Sequence, residues 1–331
     1  MSVNRRRFLQ SSTLALAATA LDWRQLLAQS AAPQQPDLLN LVRGTVGTFT
    51  GRGGTIGWHI DASSVVIVDS QFPATAQQCL DAVNARTSSR PIDYLVNTHH
   101  HGDHTGGNGV FRPVAKKILA QANVPRLQRE AAERAVIAAR NAPPPAPPAP
   151  AAPGAPAPAA PPAVMGPDQQ TYADTLFDTT WRNAVGGETM ALKYYGAAHT
   201  GGDAVITFER ANVVHVGDLV FNRRHPVTDR PGGCNIAHWA VVLEQVAKDH
   251  GADTIFIYGH AAPNFPATGT KADLFYQRDY FAALLDFVRA QITAGKPKEV
   301  VVKMTDVLPG FTDHGPLIER VLTAAYEELS S

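Results

Sequence analysis

The chain has 331 residues, 44% of them hydrophobic, and 29 basic side chains balance 29 acidic ones. That length accommodates one large domain or two small ones. No basic stripe interleaved with aromatics points to a nucleic-acid partner, and no uninterrupted apolar run of about 18 residues marks a transmembrane helix.

The amino terminus reads as a targeting segment. Asn4-Arg5-Arg6-Arg7-Phe8-Leu9-Gln10 precedes a mildly apolar stretch, Ser11 to Leu21, rich in Ala and Thr. A charged region followed by an apolar one is the layout of a secretory signal. The Arg5-Arg6 pair followed by Phe8-Leu9 resembles the twin-arginine type. Residues 1–30 are therefore expected to be a signal peptide handled by the twin-arginine export machinery. The mature protein, from about residue 40 to 331, would be periplasmic or secreted. Without residues 1–28 it keeps 25 basic and 28 acidic side chains.

Several short strands are expected between Gly44 and Asp69, around a Gly51-Arg52-Gly53-Gly54 turn and ending in the buried run Val65–Val68. Pro73 to Arg86 predicts a helix with proline in its first turn. Ile92–Val96 predicts a strand, and Ala120 to Asn141 a helix. Ala142 to Pro167 is almost entirely Pro and Ala. It predicts an extended, disordered insertion in a surface loop, since that composition builds no packed core. Beyond it, Thr189–Tyr195, Ala204–Glu209, Asn212–Val216 and Thr254–Tyr258 read as strands, and Ile236–His250, Ala272–Ala294 and Pro316–Leu329 as helices. Two groups of strands, each with helices, fit an α+β architecture: an αββα sandwich of two mixed sheets packed face to face, with helices on both outer faces. Cys79 and Cys234 are too few for a disulfide framework, and two buried thiols are expected rather than a bridge.

Chemistry concentrates in His99-His100-His101-Gly102-Asp103-His104, directly after the Ile92–Val96 strand. Histidine and carboxylate are ligands of borderline metals such as zinc. Loops at the carboxyl ends of strands are where α/β sheets build their sites. Three further candidates sit at strand ends beside glycines: His199 in Ala198-His199-Thr200-Gly201, Asp218 in Val216-Gly217-Asp218, and His260 in Tyr258-Gly259-His260. His59, His215, His225, His238, His250 and His314 lack such a context and read as structural or surface residues. His100 is expected to point away from its neighbours' target, toward solvent or the surroundings of the site. His225 and His238 lie on a 219–238 loop that could overhang it.

In order, Asp69, His-x-His-x-Asp-His at 99–104, His199, Asp218 and His260 resemble the five motifs of the metallo-β-lactamase-fold superfamily of hydrolases, over roughly residues 40 to 300. The resemblance implies two zinc ions, with iron or manganese as alternatives. His99, His101 and His199 would hold the first ion, Asp103, His104 and His260 the second, and Asp218 would bridge them. Asp69 would orient the histidine loop rather than ligate. Asp103 would also steer the proton of a bridging hydroxide that attacks a small-molecule substrate. Lactamases with a cysteine ligand carry a thiolate in the stretch where this chain has Asp218. Asp218 together with His104 is instead the pattern of thioester, lactone and phosphoester hydrolases. The seventy or so residues after His260 look like capping helices, not the thioester-binding domain of a glyoxalase II. The expected activity is hydrolysis of a small ester, lactone or amide. The alternatives are β-lactam hydrolysis and a mononuclear iron persulfide dioxygenase-like oxidation.

Overall fold

In the run Val65-Val66-Ile67-Val68, alternate side chains leave a strand on opposite faces. Val66 and Val68 join one buried cluster and Val65 and Ile67 another. That sorting recurs through the molecule and defines its layers. The computed structural model describes residues 38–142 and 164–330. The segment read as an export signal, and most of the Pro/Ala stretch, lie outside the described residues.

The first sheet has seven strands in chain order: β1 (Asn40–Arg43), β2 (Val46–Phe49), β3 (Ile56–Ile60), β4 (Val65–Val68), β5 (Ile92–Val96), β6 (Ala115–Gln121) and β7 (Thr175–Phe177). The pairings from β1 to β4 are antiparallel, and those from β4 to β7 parallel. Parallel neighbours need crossovers. Helix α1 (Pro73–Thr87) follows β4, the short α2 (Gly102–Thr105) and α3 (Asn108–Phe111) follow β5, and α4 (Val124–Asn141) follows β6.

The second sheet contains β8 (Thr180–Val185), β9 (Glu188–Tyr194), β10 (Ala204–Phe208), β11 (Val213–His215), β13 (Ile255–Ile257) and β15 (Thr268–Gly269), in the spatial order β15-β13-β11-β10-β9-β8. A two-residue parallel ladder, β12 (Phe221–Asn222) with β14 (His260–Ala261), stands beside it. Helix α5 (Ile236–Asp249) connects β11 to its parallel neighbour β13. Helices α6 (Lys271–Thr293), α7 (Lys298–Val301) and α8 (Glu319–Ser330) complete the described chain.

Three apolar clusters mark the three interfaces between layers. The middle one joins Val46, Val66, Val68, Val96 and Leu119 of the first sheet to Met190, Leu192, Ile206, Phe208, Val213 and Ile257 of the second. The second packs the outer face of the first sheet, with Trp58, Ile67 and Leu95, against Ala76, Cys79, Leu80 and Val83 of α1. The third packs Val205 and Val214 against Trp239, Val242 and Val246 of α5, Phe281 and Leu284 of α6, and Val321 and Leu322 of α8. The αββα sandwich of two mixed sheets expected from the sequence is the fold observed.

Local readings fared unevenly. Residues 115–121 form a strand, so the helix expected from Ala120 begins only at Val124. β7 and β8 were not anticipated: β7 is three residues long, and most of β8 is exposed, so neither carries a strong apolar signal. At the end of the Pro/Ala stretch, Pro167–Gln169 forms a single turn of 3₁₀ helix. Phe208 is fully buried between the sheets. Phe208→Ala should cost about 3–5 kcal/mol of stability, read as a lowered denaturant midpoint, whereas Leu176→Ala at an exposed strand position should shift it little.

Candidate metal centre

Parallel and antiparallel pairings bring the carboxyl ends of β4, β5, β9, β11 and β13 to one edge of the sandwich. Asp69 directly follows β4, and His99 to His104 follow β5. His199 follows β9, Asp218 follows β11, and His260 follows β13 at the start of β14. Each residue is therefore placed by a strand whose own side chains are locked in the core. His101 caps α2 with extended backbone, which lets the chain turn sharply and return His104 to the same side.

The seven predicted donors form two groups, and His100, His101 and Asp229 form a third set of ligand-type atoms equally close together. One ligand-type atom each from His99, His101, His199 and Asp218 lies within 4.8 Å of the others, and the same holds for Asp103, His104 and His260. His101 Nδ1 stands 3.1 Å from His99 Nε2 and 3.0 Å from His199 Nε2. In the second group, His260 Nε2 is 3.1 Å from Asp103 Oδ2 and 3.4 Å from His104 Nε2. Asp218 faces both groups. Its Oδ2 is 3.5 Å from His199 Nε2 and 3.4 Å from His260 Nε2, and its Oδ1 is 3.0 Å from His104 Nε2. All seven candidate donors thus converge.

The ring orientations have identifiable causes. Asp69 is fully buried, and both of its carboxylate oxygens are engaged. Oδ1 accepts from the Thr98 backbone N–H at 2.8 Å. Oδ2 accepts from Thr98 Oγ1 at 2.8 Å and from His104 Nδ1 at 2.7 Å. Thr98 Oγ1 has spent its proton on Asp69, so it accepts from His99 Nδ1 at 3.0 Å. One carboxylate therefore orients two imidazoles, His104 directly and His99 through Thr98, and turns Nε2 of each toward the site. Asp69 holds φ at 65°, a left-handed conformation that Asp tolerates better than most residues.

His101 is turned the other way. Its Nε2 donates to Asp229 Oδ2 at 3.1 Å, which frees Nδ1 for the group. The sequence reading missed Asp229, which follows Asp218 by eleven positions in an irregular loop and has no motif around it. His100 turns away from the ligand groups into the surroundings of the site, not toward solvent. It is buried, with Nε2 3.4 Å from the same Asp229 oxygen. Nor do His225 and His238 overhang the site. His225 bonds Tyr280 and the Pro316 carbonyl, and His238 bonds the Ala197 carbonyl. His59 and His215 are buried and hydrogen-bonded to backbone carbonyls of Val185 and Thr55. Cys79 and Cys234 are free, buried in separate clusters, and burial pushes both thiols up.

The electrostatics suit a cation. Burial pushes His99 and His199 well below the usual imidazole range, so both stay neutral, which is the ligating form. Burial alone would raise the Asp218 carboxyl, but His260 and His104 outweigh it and hold it ionised. Asp103, against its own burial, is held at about 2 by His104 and His260. His260 is itself raised to about 9, since Asp218 and Asp103 outweigh its burial. Asp218 Oδ1 is buried with no hydrogen bond, and so is His199 Nδ1. Imidazole nitrogens facing one another at 3.0–3.4 Å, around a carboxylate with an unmatched oxygen, form a donor set that fits divalent cations. Two glycines make the approach possible. A Cβ on Gly54 would overlap the His104 ring, and one on Gly259 would overlap Asp218 Oδ1.

Partners that orient a metal-binding histidine are typically worth about 10–100-fold in metal affinity. Asp229→Ala and Asp69→Asn should each weaken divalent-cation binding by roughly that factor, measured by competition with a chromophoric chelator, without unfolding the protein.

Residues 58–260 match the family described as the metallo-beta-lactamase superfamily. Among solved structures, the chain is similar to a metallo-beta-lactamase from Pontibacter korlensis, at 14% identity with a TM-score of 0.54, covering 74% of this chain and 98% of that one. It is similar over 88% of its length to a double mutant of the sec-alkyl sulfatase PisA1, at 17% identity with a TM-score of 0.61, where it spans 50% of that chain. A metallo-beta-lactamase from Hirschia baltica matches at 15% identity and a TM-score of 0.51, over 73% of this chain and 96% of that one. These likenesses are of fold. With the family match covering most of the chain, the protein belongs to the metallo-beta-lactamase superfamily, whose members are generally hydrolytic metalloenzymes.

Proposed function

We propose that the protein is a binuclear, zinc-dependent hydrolase that cleaves a small ester, lactone or amide. The observation that carries this reading is the position of Asp218, whose carboxylate lies between the two donor groups: Oδ2 is within 3.5 Å of both His199 and His260, and Oδ1 is 3.0 Å from His104. In this reading His99, His101 and His199 hold one ion, Asp103, His104 and His260 hold the other, and Asp218 spans them. When bound, two such cations acidify water and polarise the scissile group. The protein's own contribution is orientation. Asp69 and Asp229 fix which ring nitrogens face the ions. Asp103, the most exposed of the site's carboxylates, is placed to accept a hydrogen bond from the attacking water.

Two complete donor groups favour this reading over a persulfide dioxygenase-like one, which needs one iron held by two histidines and one aspartate. β-Lactams and alkyl sulfates belong in the test panel because structural relatives carry those names. The export signal also remains part of the proposal: changing Arg5 and Arg6 to Lys should retain the precursor in the cytoplasm, read by cell fractionation.

Purified protein should contain about two zinc ions per chain by elemental analysis and lose activity to a chelator, with recovery on adding zinc. His101→Ala and Asp218→Ala should each lower ester or lactone turnover by at least about 100-fold and reduce the metal content. Full activity in His101→Ala, or one iron per chain with oxygen consumption, would overturn the reading.

A further inference from the structure

On the other side of the 99–104 loop from the ligand groups lies a cavity of about 730 Å³, within the size range of small-molecule sites. Side chains diverge along this loop. His99, His101, Asp103 and His104 turn to the ligand groups, whereas His100, Gly102 and Thr105 line the cavity. A second wall comes from α4. Gln128, Ala131, Ala132 and Ala135 recur at helical spacing and so share a face, and three of the four are alanines that leave the space open. Phe72, Ala74 and Met165 add apolar surface.

Two residues of this lining carry buried polar atoms without a hydrogen-bond partner. Gln128 is 3% exposed and donates through Nε2 to Gln170 Oε1 at 3.0 Å, which leaves Oε1 with no donor. His100 is 1% exposed, and its Nδ1 has no partner. A buried acceptor left unmatched is costly, so a ligand that brings a donor to this wall gains more than contact area alone. Gly102 is exposed, and a Cβ there would meet nothing within 4 Å. The barrier between the cavity and the ligand groups is therefore bare backbone at that point. Arg52, the one cationic side chain among the described lining residues, stands on the loop that also packs against Asp103 and His104.

We propose that this cavity binds the apolar acyl or alkyl chain of the substrate, passed over Gly102 from a head group held at the metal centre. The substrate class is thus an ester or amide with a medium-length hydrocarbon chain. This assignment rests on the hydrolase reading for the head group but not for the cavity itself.

The test uses the full-length protein and two tryptophan variants on opposite walls, Ala74→Trp and Ala135→Trp, both at exposed positions outside the metal centre. Binding of 11-(dansylamino)undecanoic acid, followed by fluorescence, should saturate at one site per chain and weaken at least about tenfold in each variant, since each buried methylene is worth about fourfold. Turnover of p-nitrophenyl decanoate should exceed that of the acetate in kcat/KM, and the variants should lose this advantage while acetate turnover stays within about twofold of wild type. Absence of saturable probe binding, unchanged binding in both folded variants, or parallel loss of acetate and decanoate turnover would overturn the assignment. If wild type cleaves neither ester, ester hydrolysis is excluded for the head group while the probe measurement still decides the cavity.

Discussion

Everything at the candidate centre depends on the buried carboxylate of Asp69. It sits where β4 ends, in a backbone conformation few side chains accept, and its two oxygens receive three hydrogen bonds from two positions of the next strand-end loop. Those bonds do three things together. They tie the end of β4 to the end of β5, hold the histidine loop against the sheet edge, and select which nitrogen of His99 and His104 faces inward. An uncompensated buried carboxylate would be costly. Here the cost is offset by satisfied hydrogen bonds, and the result is a rigid constellation rather than flexible side chains.

The remaining donors are placed by the same logic on the other sheet. β9, β11 and β13 run in one direction and end at the same edge, so His199, Asp218 and His260 meet the histidine loop across the top of the sandwich. The middle core of valine, isoleucine, methionine and phenylalanine sets the spacing between the sheets. Because protein interiors are close-packed, a change there would be felt at the centre. Phe221 stacks on the His260 ring at 5.2 Å and 16°, so apolar packing also reaches directly into the second group.

Much of this was legible in the chain before folding was considered. The apolar runs that end in His or Asp beside glycine located four of the strand ends, and the long helices showed their extents to within a few residues. What stayed hidden has physical reasons. β6 begins Ala-Lys-Lys, a poor strand signature, and is a strand because it lies between β5 and β7. β8 is an edge strand with most of its side chains in solvent. Asp229 bears on the site only because its loop folds back over His100 and His101, a contact 128 residues apart from His101 in sequence that no local pattern encodes. His100 looked like the odd residue in the cluster, and its burial depends on that same loop. The cavity beneath it depends on α4, whose alanines look like ordinary helix formers in the sequence.

The uneven distribution of donors along the chain has a consequence for assembly. Four of the seven, His99, His101, Asp103 and His104, occupy one short segment, while His199, Asp218 and His260 arrive from far away. An unfolded chain therefore already carries a local chelating peptide, and a cation captured there gains nothing from the fold. Any affinity of the unfolded state for metal subtracts from the stabilisation that binding confers on the native state. A cation bound to this hexapeptide in the unfolded chain would compete with Asp69 and Asp229 for the same imidazoles.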